Sequence, residues 1–307
     1  MKKLIYIFLM SNVLFAHPIL PNRNYLFDEC DVCGCSATGG SMGLNSLISP
    51  NFVGVRYMYQ QYTSKDGVFN NSPWINENFN TVQIWTKYPI NDKWDVIAML
   101  PYHFNSREKI LSSQQVNGMG DLSAFIFYNA IKLSNEEKKT SAKLQMGAGV
   151  KMPTGTYNEE NNGSVNPSFQ LGTGSWDYTL ATDFTFVKNK LGVNFMGQYV
   201  LKTENDKNYQ FGNQTNYGAS VFYNTEFNSL KIIPQIGVSG EVYETNKDYS
   251  EKVPLTSGSI MFTKLAVEVA YNKWSIGLNT QLPIQQKLIG GRVEAKYRIG
   301  LNVNYSL

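Results

Sequence analysis

A chain of 307 residues with 27 Lys and Arg against 24 Asp and Glu has a net charge of only +3, too little to point to nucleic acid. Charged residues make up 17% and aromatic residues 13%, whereas soluble proteins run at roughly 25% charged. A mean hydropathy of −0.29 excludes a bundle of apolar helices and suits an all-β chain closed into a barrel, apolar outside and polar inside.

Residues 1–16 read as a secretory signal, with Lys2 and Lys3 ahead of the apolar runs Leu4 to Met10 and Val13 to Phe15 and a small cleavage residue, Ala16. The apolar run is too short to cross a bilayer as a helix. Residues 17–50 do not alternate. They hold Pro18, Pro21, the small-residue run Ser36 to Gly43 and all three cysteines, and are expected to form an irregular periplasmic tail or a plug folded into the lumen.

Cys30, Cys33 and Cys35 form a C-x-x-C-x-C group beside Asp28, Glu29 and Asp31. Thiolates are soft ligands for Cu(I) or zinc, and Gly34 lets three sulfurs converge on one ion. Copper ranks ahead of zinc, because three cysteines leave a tetrahedral zinc site incomplete unless His17 supplies a fourth ligand. The opposing reading is a disulfide plus one free thiol in an oxidising compartment. Metal content after reducing purification, compared with the triple Cys→Ser variant, separates the two.

From residue 51 onward the chain alternates apolar and polar residues with period two. Strands are expected near 53–60, 79–88, 94–104, 121–131, 142–152, 176–187, 191–202, 217–227, 230–242, 264–271, 274–282 and 293–307, about twelve, an even number as bacterial barrels require. Short turns (Pro89 to Asp92, Lys188 to Lys190, Asn228-Ser229, Asn272-Lys273) alternate with long polar connections near 64–77, 105–118, 155–172, 204–212, 244–258 and 284–292. Residues 51–307 therefore read as a transmembrane antiparallel β-barrel. Tyr88, Trp94, Tyr102, Trp176 and Trp274 fall near strand ends, where aromatic girdles meet the membrane interfaces. The last stretch alternates furthest, from Tyr297 to Leu307, at twice the usual strand length of about five or six residues. It resembles the closing strand of an outer-membrane barrel, although Leu307 stands where such strands usually end in an aromatic residue.

On the face opposite the apolar one lie Arg56, Asp95, His103, Lys151, Asp183, Lys202, Glu268 and Arg298. In a narrow interior such groups must pair or stay wet. They read either as a cross-barrel network that holds the wall or as the lining of a polar path. His103 is the one candidate base in the barrel, and Asn105 and Ser106 after it form no nucleophile–base set, so no enzymatic activity is expected.

Five short stretches occur in order: Lys87 to Trp94 with Leu100-Pro101-Tyr102; Gly118 to Leu122; Gly147 to Gly155; Gly172 to Tyr178; and Gln281 to Ile284. Together they resemble the outer-membrane transporter-like barrels grouped with the MetA-pathway phenol-degradation proteins, distant relatives of FadL-type channels. That resemblance covers most of residues 50–307 and implies a channel or transporter without naming a substrate. The cysteine group is not part of the family's pattern. Read from the residues alone, Gly118 and Gly120 are expected to take positive φ where a loop enters a strand, and Pro101 and Pro153 to sit near strand ends. The expected function is an outer-membrane channel for small, moderately hydrophobic solutes, with membrane lipid and solute as partners. The alternative is a non-transporting barrel that handles metal or is purely structural.

Overall fold

The computed structural model describes residues 51–66, 71–109, 112–157 and 164–307. The signal reading over 1–16, the segment 17–50 and its three cysteines lie outside the described residues.

Twelve long strands form the wall: β1 (Phe52–Lys65), β2 (Trp74–Asn91), β3 (Trp94–Glu108), β4 (Leu122–Asn135), β5 (Thr140–Met152), β6 (Asp177–Lys188), β7 (Leu191–Lys202), β8 (Gln214–Tyr223), β9 (Leu230–Tyr243), β10 (Gly258–Tyr271), β11 (Trp274–Lys287) and β12 (Val293–Ser306). Each pairs antiparallel with its chain neighbours. β8 meets β9 from Gln214↔Tyr243 to Phe222↔Gln235, and one further ladder, β1 with β12 from Phe52↔Ser306 to Ser64↔Val293, closes the ring. The product is a closed twelve-stranded barrel, and closure leaves no strand edge to satisfy in lipid.

The alternation in the sequence is the alternation of the wall. Along β6, buried residues from Asp177 to Val187 interleave with exposed or half-buried ones from Tyr178 to Lys188. Val55, Ile84, Ile126, Leu180, Leu278 and Leu301 lie on the outer face. Rings gather at both margins of that apolar band. Trp94 packs on Tyr128 and Trp274 on Tyr305 toward the end that carries residue 52 and residue 306, while Tyr102 packs on Phe104 and Tyr59 on Tyr297 toward the other. Tyr88 and Trp176 are also exposed. No helix is long and apolar enough to cross a membrane among the described residues.

At the end that carries residues 52 and 306 the hairpins are tight. Asn189, Asn228, Ser229 and Asn272 take positive φ, as turns matched to strand twist require. Asn91 accepts the Lys93 and Trp94 N–H groups at 2.9 and 3.1 Å, so β2 runs through the expected Pro89 turn and reverses only at Asp92-Lys93. At the opposite end the connections are longer: 66–73, 153–176, 203–213 and 244–257. Tyr209–Gln210, Lys247–Asp248 and Glu251–Lys252 tie the last two together as a small separate sheet.

The expected loop at 105–118 is instead mostly strand. β3 continues to Glu108, and Ser113–Met119 pairs with its far half from Tyr102↔Met119 to Glu108↔Ser113, while β4 pairs with its near half. Asn105 and Ser106 are therefore strand residues. Pro101 sits mid-strand and not near an end. It is tolerated because its ladder partners are interrupted there, between Met99↔Ser123 and Tyr102↔Met119, where its carbonyl accepts the Gly120 N–H at 2.9 Å.

A charge at mid-height on the lipid face is costly, about 2–4 kcal/mol for Arg near the bilayer midplane. Leu278 is 47% exposed and lies four residues from the Trp274 margin. Leu278→Arg is expected to lower the unfolding free energy by about that amount in urea titrations of vesicle-embedded protein. The same change at exposed Tyr249, in a loop, is expected to cost less than about 0.5 kcal/mol.

Candidate functional site: the barrel interior

The inner face carries seven buried cationic side chains (Arg56, Lys87, Arg107, Lys143, Lys151, Lys202, Arg298) and seven buried carboxylates (Glu77, Asp95, Asp121, Asp177, Asp183, Glu241, Glu268) among the described residues. Charges removed from water must be matched nearby, and three groupings show how.

The first gathers the glycine-rich stretches. Lys151 Nζ, at the loop end of β5, lies 2.9 Å from Asp121 Oδ2 and 2.8 Å from Asp177 Oδ2 and also contacts Thr173 Oγ1. Asp121 accepts the Gly155 N–H at 2.9 Å and the Thr173 N–H at 3.0 Å. Ser175 Oγ donates to Asp177 at 3.0 Å. Thr154 Oγ1 donates to the Gly120 carbonyl and accepts the Leu122 N–H. One buried ammonium between two carboxylates thus ties β4, β5, β6 and the connection 153–176 together. The turn-only reading of these stretches is incomplete.

Gly120 does not take positive φ, unlike Gly118 at +156°. It is glycine because a Cβ there would lie 2.3 Å from His103 Nε2. The His103 ring is held by Thr81 Oγ1, 2.9 Å from Nδ1.

In the second grouping, Arg298 Nη1 on β12 reaches Glu241 Oε1 on β9 at 2.7 Å. Two strands stand between them in the wall, so the pair is a chord across the interior. Tyr62 and Tyr243 complete it. In the third, Lys87 Nζ lies 3.5 Å from Asp95 Oδ2, which accepts from Gln145 Nε2 at 3.0 Å.

The remaining expected residues are each buried on the inner face. Arg56 donates to Gln83 Oε1 at 2.7 Å and stacks over Trp85 at 3.9 Å. Asp183 accepts from Asn194 Nδ2 at 2.8 Å. Lys202 lies 5.8 Å from the Phe211 ring, and Glu268 is buried on β10. Among the described residues no group of three or more His, Cys, Asp or Glu side chains is placed to hold a metal ion.

Apolar groups share this interior. One cluster, all on β1–β6, comprises Phe52, Met58, Trp85, Ile97, Met99, Phe125, Phe127 and Ala181. A second, toward the loop end, joins Tyr62, Phe79, Ile260, Phe262 and Val293 to Phe169. Phe169 belongs to the 153–176 connection, which therefore turns into the barrel. Ser164 Oγ and Asn166 Nδ2 anchor it on Glu77, and the Arg107 guanidinium lies over Phe169 at 5.2 Å. Outside the membrane-spanning wall, Tyr157, Tyr209 and Phe211 pack together. Burial raises the Tyr209 hydroxyl above its ordinary pKa, opposed by the hydrogen bond from Asn246.

A model of the family described as "Putative MetA-pathway of phenol degradation" matches residues 71–254, more than half of the chain. The chain belongs to that family. The match contains all of the Asp121–Lys151–Asp177 grouping and stops short of Arg298. Among solved structures, an outer membrane channel from Pseudomonas putida F1 is similar with a TM-score of 0.60 at 14% identity, over 83% of this chain and 96% of that one. The beta domain of the Bordetella autotransporter BrkA is similar with a TM-score of 0.52 at 8% identity, over 84% and 100%. These likenesses establish the outer-membrane barrel fold. No curated protein sequence matches.

Sequence reasoning passed over Glu77, Lys87, Arg107, Asp121, Lys143, Asp177 and Glu241. Lys87, Lys143 and Glu241 share the inward parity of their strands and could have been found by counting. Glu77 and Arg107 lay beyond strand ends drawn too short. Asp121 and Asp177 stood inside the motifs without a partner visible in sequence.

Removing one member of a buried charge grouping leaves the others uncompensated, at a cost of about 3–5 kcal/mol. Lys151→Met is expected to destabilise the folded barrel by about that much in urea unfolding, because Asp121 and Asp177 then face each other without a cation. The triple change Lys151→Met, Asp121→Asn, Asp177→Asn is expected to recover part of the loss.

Proposed function

We propose that this family member is an outer-membrane channel or transporter for small, moderately hydrophobic solutes, seated in membrane lipid with the long connections outside and both ends of the barrel chain periplasmic. The observation that carries the reading is the balanced interior. Among the described residues seven buried cations face seven buried carboxylates, and two apolar clusters share the interior with them. Such a lining offers no net field to draw an ion and offers apolar surface to an uncharged solute. The similar Pseudomonas putida F1 protein is an outer membrane channel, which supports the same reading.

Conductance in planar bilayers, with flux of uncharged solutes into liposomes, tests the proposal on the full mature chain and on a form lacking residues 17–50. Flux in both forms, or only in the shortened one if that segment acts as a plug, is the expected result. A barrel closed to ions and solutes in both forms contradicts it and favours a metal-handling or structural barrel.

A further inference from the structure

The end of the barrel with the tight hairpins carries its lysines unevenly. Three of its five turns are matched locally. Lys93 follows Asp92 in the chain, Lys231 stands opposite Glu226 in the ladder, and Lys273 Nζ lies 5.5 Å from the Tyr305 ring. The other two turns adjoin. Residues 136–139 join β4 to β5 and residues 189–190 join β6 to β7, and the Asn189 N–H donates to the Lys139 carbonyl at 2.7 Å. Lys138, Lys139, Lys188 and Lys190 are all exposed at this junction, where the carboxylates of the two turns are Glu136 and Glu137. The junction is therefore net cationic. Its backbone is fixed on the far side as well, since the Asn224 N–H donates to the Lys190 carbonyl at 2.7 Å.

The wall beside these lysines is apolar on its lipid face. Register sets Leu133, Ala142 and Phe186 in one row across β4, β5 and β6. Two residues nearer the turns, Thr140, Lys188 and Leu191 lie side by side on β5, β6 and β7. Leu133 is 64% exposed and Leu191 55%, while Val187, next to Lys188, is buried. Lys188 thus continues the outer face on which Phe186 stands. A lysine so placed lays its methylene stem along apolar surface and carries its ammonium to the polar layer.

Two kinds of surface meet here, and the occupant must suit both. A soluble acidic peptide or glycan would satisfy the ammonium groups and leave Leu133, Phe186 and Leu191 uncovered. A neutral acyl chain would do the reverse. A phospholipid brings a phosphate and an acyl chain in one molecule. A zwitterionic headgroup also brings its own ammonium, which cancels the phosphate, whereas a headgroup of net negative charge keeps the full attraction of the lysines. We propose that the junction of turns 136–139 and 189–190 is a binding site for an anionic phospholipid, with the phosphate on Lys138, Lys139, Lys188 and Lys190 and an acyl chain on Leu133, Phe186 and Leu191. The proposal goes beyond the channel reading and takes from it only the orientation, which sets the tight turns at the periplasmic leaflet.

The test uses the full mature chain, native cysteines replaced by serine, in phosphatidylcholine vesicles. A bimane fluorophore is attached at Leu191→Cys or, as a control, at Ile84→Cys, which faces lipid on β2. Phosphatidylglycerol or phosphatidylethanolamine, each with a spin label on one acyl chain, is then added in steps as quencher. Comparing two lipids at one position removes any effect of depth. At position 191 phosphatidylglycerol is expected to reach half-maximal quenching at about fivefold lower mole fraction than phosphatidylethanolamine, and at position 84 the two are expected to match. The quadruple change Lys138→Gln, Lys139→Gln, Lys188→Gln, Lys190→Gln is expected to abolish the preference at 191, and about 0.5 M salt to weaken it. Heat-modifiable gel migration checks that each variant is folded. Equal quenching by the two lipids at 191 overturns the site and leaves the lysines to a soluble acidic partner. A preference equally strong at 84, or one that survives the quadruple change, overturns it too. Conductance takes no part in this readout. Loss of the lipid preference leaves the channel reading intact, and a barrel that passes no solute leaves the lipid site intact.

Discussion

Every backbone N–H and C=O in a hydrocarbon layer must find its partner within the protein, and in this chain that demand is met only when the ring shuts. Eleven of the twelve wall pairings join chain neighbours through a turn or a loop. The pairing of β12 with β1 joins residues some 250 apart in the chain, from Phe52↔Ser306 to Ser64↔Val293. Without it two long edges would stand unpaired in lipid. Much else follows from closure. Period two puts Leu278 and Leu301 outside and Asn279, Arg298 and Asn302 inside, and a slip of one residue would exchange the two sets.

Closure also creates an electrostatic problem. Fourteen charged side chains among the described residues are sealed in a small space, where a lone charge is expensive. The solution has two parts. Charges of opposite sign are equal in number, and the groupings with direct contacts sit at separate positions: Lys151 between Asp121 and Asp177, Arg298 against Glu241, Lys87 against Asp95. The glycine-rich motifs make sense in this light. They bring backbone N–H groups onto Asp121 and leave space for His103, so their small residues shape a buried polar junction where β4, β5 and β6 meet the inward-turning connection.

Much of the architecture is legible in the sequence because barrel strands are long and strictly two-faced. The limits of β7, Leu191 and Lys202, coincide with the expected ones, and each of the eight inward residues named from parity is buried. The misses share a cause. Where polar residues extend a strand beyond the apolar band, as at Asn76 to Asn78 in β2 and Asn105 to Glu108 in β3, alternation fades although the ladder continues, and in β10 the apolar run Ile260-Met261-Phe262 hides the alternation of a paired stretch. Contacts across the interior left no trace in local pattern. Nothing near Arg298 announces Glu241, and nothing near Asp121 announces Lys151, thirty residues away.

The claim on which this account rests is that one closed ring places alternate residues of β12 in lipid and in the interior. Spin labels attached one at a time from Gly300 to Asn304, in vesicle-embedded protein whose native cysteines are replaced by serine, measure it directly through collision with oxygen and with a water-soluble nickel chelate. The account predicts high oxygen accessibility at Leu301 and Val303 and low accessibility at Gly300, Asn302 and Asn304, in strict alternation. Uniform accessibility along the five positions, or alternation of the opposite phase, would contradict it.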